Sequence, residues 1–213
     1  MIVHDTIKQG SEAWEKVRLG RATASQASNI LTPTGKLSAS RVEYAQKIAR
    51  ECLVNDPYKF MGNSDTDRGH ENEGPARELF ESIMGYQVTE VGFVTRDDKI
   101  IGCSPDGLIM DENGEYTMGL EIKCPRIDKH TDYLIKGVLP KIYKIQVHWS
   151  MAVTGIKTWW FMSYSSGVNP LIVKVKADEF TEVVSRAQDD FIPEYREISK
   201  NVKEALFGKV VVR

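Results

Sequence analysis

Long apolar runs are absent from this chain. No segment approaches the roughly eighteen consecutive apolar residues that a membrane span requires. Met1-Ile2-Val3-His4-Asp5 leads into polar residues without the apolar region of a signal peptide, so a soluble cytoplasmic protein is expected. Cysteine is scarce as well: three residues, Cys52, Cys103 and Cys124, argue by their odd number against a disulfide framework and read as buried free thiols. Neither Cys-x-x-Cys nor His-x-x-x-His spacing occurs, which removes the usual zinc frameworks. No Gly-x-Gly-x-x-Gly or Walker loop follows a predicted strand, and a nucleotide-binding fold has no support. Net charge is small, -2 with a pI near 6.1, and by itself points away from a nucleic-acid partner.

The charge distribution points the other way. Residues 14 to 60 carry eight Lys/Arg against four Asp/Glu, residues 123 to 144 carry six against two, and residues 178 to 204 reverse the balance with four against eight. Such a chain can hold a polyanion on one side only, although any single charge also fits an ordinary solvated face. A length of 213 residues suits one domain with a sizeable core.

Periodicity and punctuation predict the elements. Ser11 caps a short helix carrying Trp14, Val17 and Leu19, stopped by Gly20; Thr23-Ala24-Ser25 opens a second helix and leaves Arg18, Arg21 and Ser25 around its N-terminus. That place suits a phosphate, and equally a capped helix with surface arginines. A mobile loop is expected over 32 to 40, then helices near 40 to 54 and 66 to 84, the latter with Ala76, Leu79, Phe80 and Ile83 at helical spacing. Strands follow over 87 to 95, 100 to 109 and 116 to 124 as a meander, then a helix over 140 to 154 with Tyr143, Gln146 and Ser150 on one side. Strands near 158 to 164 and 170 to 176 and a long helix from about 179 to 206 complete the chain, and Trp149, Trp159 and Trp160 read as core or interface residues. The fold class is α/β, a central mixed sheet flanked by helices. One domain spans 1 to 213, its metal-site core over about 66 to 165 and its C-terminal strand and helix over about 170 to 213.

One stretch carries chemistry. Asp106 closes the second strand of the meander, and Glu121 lies on the third, so their carboxylates can converge on one divalent cation; hard oxygen ligands suit magnesium. Lys123 shares a strand face with Glu121. The bland alternative is an Asp-Gly turn and a surface Glu-x-Lys pair. Against it, Leu108, Ile109 and Met110 follow Asp106, and Leu120 and Ile122 flank Glu121, so the charges lie in segments patterned for burial.

Gln9-Gly10 with Ala13-Trp14, Arg18-Leu19-Gly20, Thr23-Ala24-Ser25, Cys103-Ser104-Pro105-Asp106-Gly107, Leu120-Glu121-Ile122-Lys123-Cys124-Pro125 and Gln146-Val147 with Ser150-Met151 together resemble the phage lambda exonuclease family. These alkaline exonucleases belong to the restriction-endonuclease-like nucleases, and the resemblance runs in order from about residue 9 to 165. It implies a restriction-endonuclease-like core and an enzyme that digests one strand of linear duplex DNA 5′ to 3′, giving mononucleotides and a 3′ single-stranded tail. By resemblance, Asp106, Glu121 and the Ile122 carbonyl bind magnesium, two ions with manganese as a substitute, and Lys123 orients or deprotonates the attacking water. Glu73 matches an acidic helix residue near the metals, Tyr143 and Gln146 match the active-site helix, and Arg18, Ser25 and Ser104 match a 5′-phosphate pocket. Lys123, desolvated between cations, is expected to have a depressed pKa. The resemblance further implies a homotrimeric ring, a single-strand annealing protein as partner, and action in a bacterial host cytoplasm during phage recombination. Arg68-Gly69 stands where an aromatic-Gly pair can precede the acidic helix, and the turn between Asp106 and Glu121 is longer than in the lambda enzyme. A restriction-like or junction-resolving endonuclease and a catalytically silent DNA-end-binding module are the alternatives.

Overall fold

Alternation along Tyr116–Lys123 sets the centre of the molecule: Leu120 and Ile122 turn to one side of the strand, Glu121 and Lys123 to the other. The computed structural model describes residues 1–55 and 64–209, with the backbone alone over 64–71. In chain order the described elements are β1 (Ile2–His4), α1 (Glu12–Arg18), β2 (Ala22–Thr23), a 3-10 turn (Ala24–Asn29), α2 (Arg41–Val54), α3 (Ser64–Met84), β3 (Val88–Thr89), β4 (Phe93–Thr95), β5 (Ile101–Cys103), β6 (Gly107–Met110) and β7 (Tyr116–Lys123). They continue with α4 (Ile127–Lys136), α5 (Lys141–Thr154), β8 (Thr158–Ser163), β9 (Leu171–Lys176) and α6 (Glu179–Phe207).

β7 is the middle strand of a mixed five-stranded sheet, order β3-β6-β7-β8-β9, in which the β7–β8 pair is parallel and the other pairs antiparallel. The parallel pair needs a crossover, which α4 and α5 supply. On one face α3 packs Ala76, Leu79 and Phe80 against Leu120, Ile122, Trp160 and Met162. On the other, Ile145 and Trp149 of α5 join Trp159, Phe161 and Leu108 in the main core, which α2 and α6 close. Phe80 and Phe161 are fully buried, each contributing about 1.5–3 kcal/mol of apolar transfer. Asp178 starts α6 with a capping box, its carboxylate taking the Thr181 N–H while the Thr181 hydroxyl takes the Asp178 N–H. No helix among the described residues is long and apolar enough to cross a membrane.

The expected meander is corrected. Strands expected over 87 to 95 and 100 to 109 each break and divide between two sheets: β3 and β6 join the central sheet, while β4 and β5 form a second, four-stranded sheet of order β1-β4-β5-β2. At the first break Gly92 lies against the backbone of Ile7, where an added Cβ would stand 2.0 Å from the Ile7 carbonyl oxygen. At the second, Pro105 has no N–H to give a ladder. The segment 32 to 40, expected to be mobile, is folded back on itself through a Leu31–Leu37 bridge and a Thr32 N–H bond to the Lys36 carbonyl at 2.7 Å. Residues 24–29 form a 3-10 turn, not an α-helix, and Thr23 makes no side-chain cap. Of the three free thiols only Cys103 is buried; Cys52 is exposed and Cys124 half-buried, because α2 and the end of β7 turn those positions outward.

Candidate active site

The turn between β5 and β6 carries Asp106, and β7 receives it. The Asp106 N–H donates to the Leu120 carbonyl at 3.1 Å, and Asp106 Oδ2 accepts the Ile122 N–H at 2.6 Å. The carboxylate is thereby tied to the backbone between Glu121 and Lys123, at the residue whose carbonyl was expected to join the metal ligands.

Glu121 is 1% exposed. Its Oε1 accepts from Lys123 Nζ at 2.5 Å and from the Gln146 side-chain amide, while Oε2, equally buried, has no hydrogen-bond partner among the described residues. A buried carboxylate oxygen without a donor is costly, and a cation is the chemistry that relieves it. Burial raises the Glu121 carboxyl above the ordinary range; Lys123 opposes this, and Asp106 and Glu73 reinforce it. Glu73, on α3, is raised by burial and then by the Asp106 charge, against the pull of Arg77 and Lys123. Three carboxylates therefore share one electrostatic neighbourhood. They do not form a cage of three or more closely converging His, Cys, Asp or Glu side chains among the described residues. The donor set, two carboxylates with a backbone carbonyl, fits a hard cation that keeps part of its water shell.

The depression expected for Lys123 depends on neighbouring cations, and the protein's own groups act in the other direction. Burial pulls its pKa down as foreseen, but the Glu121 and Asp106 carboxylates together outweigh burial and hold the ammonium above its ordinary value. Tyr143 on α5 lies with its ring 5.7 Å from Lys123 Nζ, stacked on Phe161 and edge-on to Tyr133. Burial, with Tyr133 next, pushes its phenol up to about 12, so it stays protonated at neutral pH. Ser150, expected on the same stripe, is buried, and its hydroxyl donates to the Gln146 carbonyl at 3.1 Å instead of reaching the site.

Ser104, two residues before Asp106, opens a path toward Arg18. Trp14 Nε1 donates to Ser104 Oγ at 2.9 Å and to the Gly92 carbonyl at 3.0 Å, and the Arg18 guanidinium lies 4.0 Å over the Trp14 ring. Burial lowers the Arg18 pKa, and Tyr44 partly offsets that. Ser25 is exposed, its hydroxyl 3.5 Å from that of Thr23, whose N–H donates to the Tyr44 hydroxyl at 3.4 Å. Arg21, expected beside these residues, turns away to the Val17 and Leu19 carbonyls at the end of α1. The side chain of Arg68 lies outside the described residues.

Three supporting roles were not read from the sequence. Gln9 Nε2 donates to the Val91 and Pro105 carbonyls at 3.0 and 2.8 Å, so the N-terminal segment braces the turn that holds Asp106. Trp14, read as an apolar helix residue, spends its indole N–H on Ser104. Arg77 bonds both Glu73 and the Asp106 carbonyl; its i,i+4 spacing from Glu73 was the available signal.

Solved structures share this architecture. An alkaline exonuclease, LHK-Exo from Laribacter hongkongensis, is similar with a TM-score of 0.78 and 27% identity over 92% of this chain and 98% of the other. Its complex with dAMP matches with a TM-score of 0.73, again at 27% identity, over 92% of this chain and 100% of the other. A phage-related exonuclease from Haemophilus somnus 129PT shares the fold at 15% identity and a TM-score of 0.61, over 87% of this chain and 96% of that one. No curated protein matches the chain. The fold is that of the alkaline exonucleases. The chain belongs to the family of the YqaJ-like viral recombinase domain, whose model matches residues 13–157, a span that includes Arg18, Glu73, Ser104, Asp106, Glu121, Lys123, Tyr143 and Gln146.

Proposed function

We propose that this protein is a magnesium-dependent exonuclease that digests one strand of linear double-stranded DNA from a 5′-phosphorylated end, releasing mononucleotides and leaving a 3′ single-stranded tail for recombination. The observation that carries the reading is the buried Glu121 carboxylate, with one oxygen lacking a partner, beside Asp106 and Lys123. Asp106, Glu121 and the Ile122 carbonyl would hold the metal, as two ions, with manganese able to replace magnesium. Bound there, it supplies positive charge for the scissile phosphate and lowers the pKa of water. Lys123 orients the attacking water; Gln146 fixes the Glu121 rotamer through its amide. Tyr143 remains a donor and lies with its ring beside the Lys123 ammonium.

End selection follows from the Ser104–Trp14–Arg18 chain. Arg18 stacks on Trp14, is half-buried and makes no ion pair among the described residues, so a terminal phosphate would offer it a counter-charge. Ser104 lies on the turn that carries Asp106, which sets the end site beside the cutting site. LHK-Exo has been captured with dAMP, a deoxynucleoside monophosphate and the kind of product this reading requires. A homotrimeric ring and a single-strand annealing protein complete the proposal. Large apolar side chains left exposed support assembly: Ile135, Val138 and Ile142 around the α4–α5 turn, and Leu206 and Phe207 at the end of α6.

Closed circular and linear duplexes, compared in magnesium, test exonucleolytic action. Linear DNA is expected to be digested and covalently closed circles to survive; extensive cutting of the circles would make the protein an endonuclease. Arg18→Ala is expected to erase the preference for phosphorylated ends, and equal wild-type rates on 5′-phosphate and 5′-hydroxyl ends would remove the pocket assignment.

A further inference from the structure

Arg77 uses its whole fork within the molecule. From α3, Nη2 reaches Glu73 Oε1 at 2.8 Å, Nε reaches the Asp106 carbonyl oxygen at 3.2 Å, and Nη1 reaches Glu90 Oε1 at 2.5 Å. The Arg77 side chain is 12% exposed; Glu73 is half-buried and Glu90 is 71% exposed, so the contacts to Glu73 and to the Asp106 turn are the shielded ones. One guanidinium thus joins three separate segments: the helix with Glu73, the turn with Asp106, and the stretch between β3 and β4.

The electrostatics of the site give this joint a task. Glu73, Asp106 and Glu121 repel one another: the Asp106 charge raises the carboxyls of both Glu73 and Glu121. Lys123 is committed to Glu121. Arg77 is the cation in direct contact with Glu73, and its bond to the Asp106 carbonyl ties α3 to the backbone that aims the Asp106 carboxylate. A lysine could provide the charge but not the fork, because one ammonium cannot span three acceptors set in a plane around a guanidinium.

We propose that Arg77 is a positioning residue of the cutting centre: it holds Glu73 in place beside Asp106 and fixes the Asp106 turn, so the carboxylates meet in one arrangement. The inference rests on the metal-site reading of the previous subsection. Residues that orient ligands in this way typically change metal affinity or activity by about 10–100-fold when replaced.

The test is a double-mutant cycle between Arg77→Met and Glu73→Gln, with magnesium binding measured by calorimetry on the DNA-free protein alongside digestion kinetics and thermal melting. Arg77→Met and Arg77→Lys are each expected to weaken magnesium binding and lower kcat by roughly tenfold or more, leaving KM for DNA ends unchanged. In the Glu73→Gln background Arg77→Met is expected to add a smaller factor than in wild type, because the part of its action that passes through Glu73 is already lost while the bond to the Asp106 turn remains. Losses that simply multiply, a change in KM alone, or an Arg77→Lys protein that melts, binds and cuts like wild type would overturn the proposal. A wild type that binds magnesium but leaves linear duplex intact would sink the exonuclease reading, while calorimetry on the variants would still decide the role of Arg77.

Discussion

At the scale of single residues, the site is a set of charges that satisfy one another incompletely. Glu121 gives one oxygen to Lys123 and Gln146 and keeps the other without a donor among the described residues. Among the protein's own groups, the Glu121 and Asp106 carboxylates outweigh burial and hold the Lys123 ammonium above its ordinary value. Asp106→Ala and Lys123→Ala are each expected to lower cleavage by about 10²–10⁴-fold while binding of DNA ends survives in a gel-shift assay. Loss of end binding together with cleavage would mean that these side chains hold the DNA instead of cutting it. The clustering of Asp106, Glu121 and Lys123 was legible in the sequence because Pro-Asp and Glu-x-Lys sit in apolar surroundings, and charges patterned for burial need a partner. Arg77 and Gln9 were not, because a guanidinium or an amide serving distant backbone carbonyls leaves no local pattern.

At the scale of elements, β7 binds the site to the core. Its Gly119 faces Trp159 on β8, and an added Cβ would stand 2.4 Å from the indole ring. Trp159 is fully buried and has nowhere to move, so Gly119→Ala is expected to destabilise the fold by at least ~1–3 kcal/mol in denaturant titration; an unchanged midpoint would mean the strand pair relaxes freely. α5 meets the start of α6 through His148, whose Nδ1 lies 2.7 Å from the Thr181 hydroxyl, with Asp178 at 3.6 Å and the Phe180 ring edge-on. Burial, opposed by Asp178 and aided by Lys144, lowers the His148 pKa. The unfolded chain therefore takes a proton the folded one refuses, so this histidine's contribution is present above about pH 6.5 and is lost as pH falls through the depressed folded value. Thermal melts at pH 5.5 and 7.5 are expected to differ less for His148→Gln than for wild type, and an equal difference would remove His148 from the acid response. Elements with one unbroken environment, α5, α6, β8 and β9, lie within a residue or two of their expected positions. The strands at 87 to 95 and 100 to 109 misled because apolar character continues through the breaks while the chain changes sheets, and α4 went unread because its one buried residue is the polar His130.

At the scale of the whole molecule, charge is divided along the chain, basic over 14 to 60 and 123 to 144 and acidic over 178 to 204 on α6, and a net charge of -2 hides that division. The expected assembly is a ring of copies that gathers the basic faces inward. Light scattering is expected to give three times the chain mass of 24.1 kDa, and a monomer at working concentration would remove the ring. Assembly is the least legible property of one chain, because Ile135, at 80% exposed, shows that a surface is apolar without showing what covers it. The central claim, metal-dependent removal of nucleotides from a 5′ end, is tested most directly on linear duplex carrying a label on the 5′-terminal nucleotide of one strand, with magnesium or with EDTA. The expected result is early release of the label as a mononucleotide in magnesium and none in EDTA. Release of the label only after most of the strand is degraded, or equal release in EDTA, would contradict it.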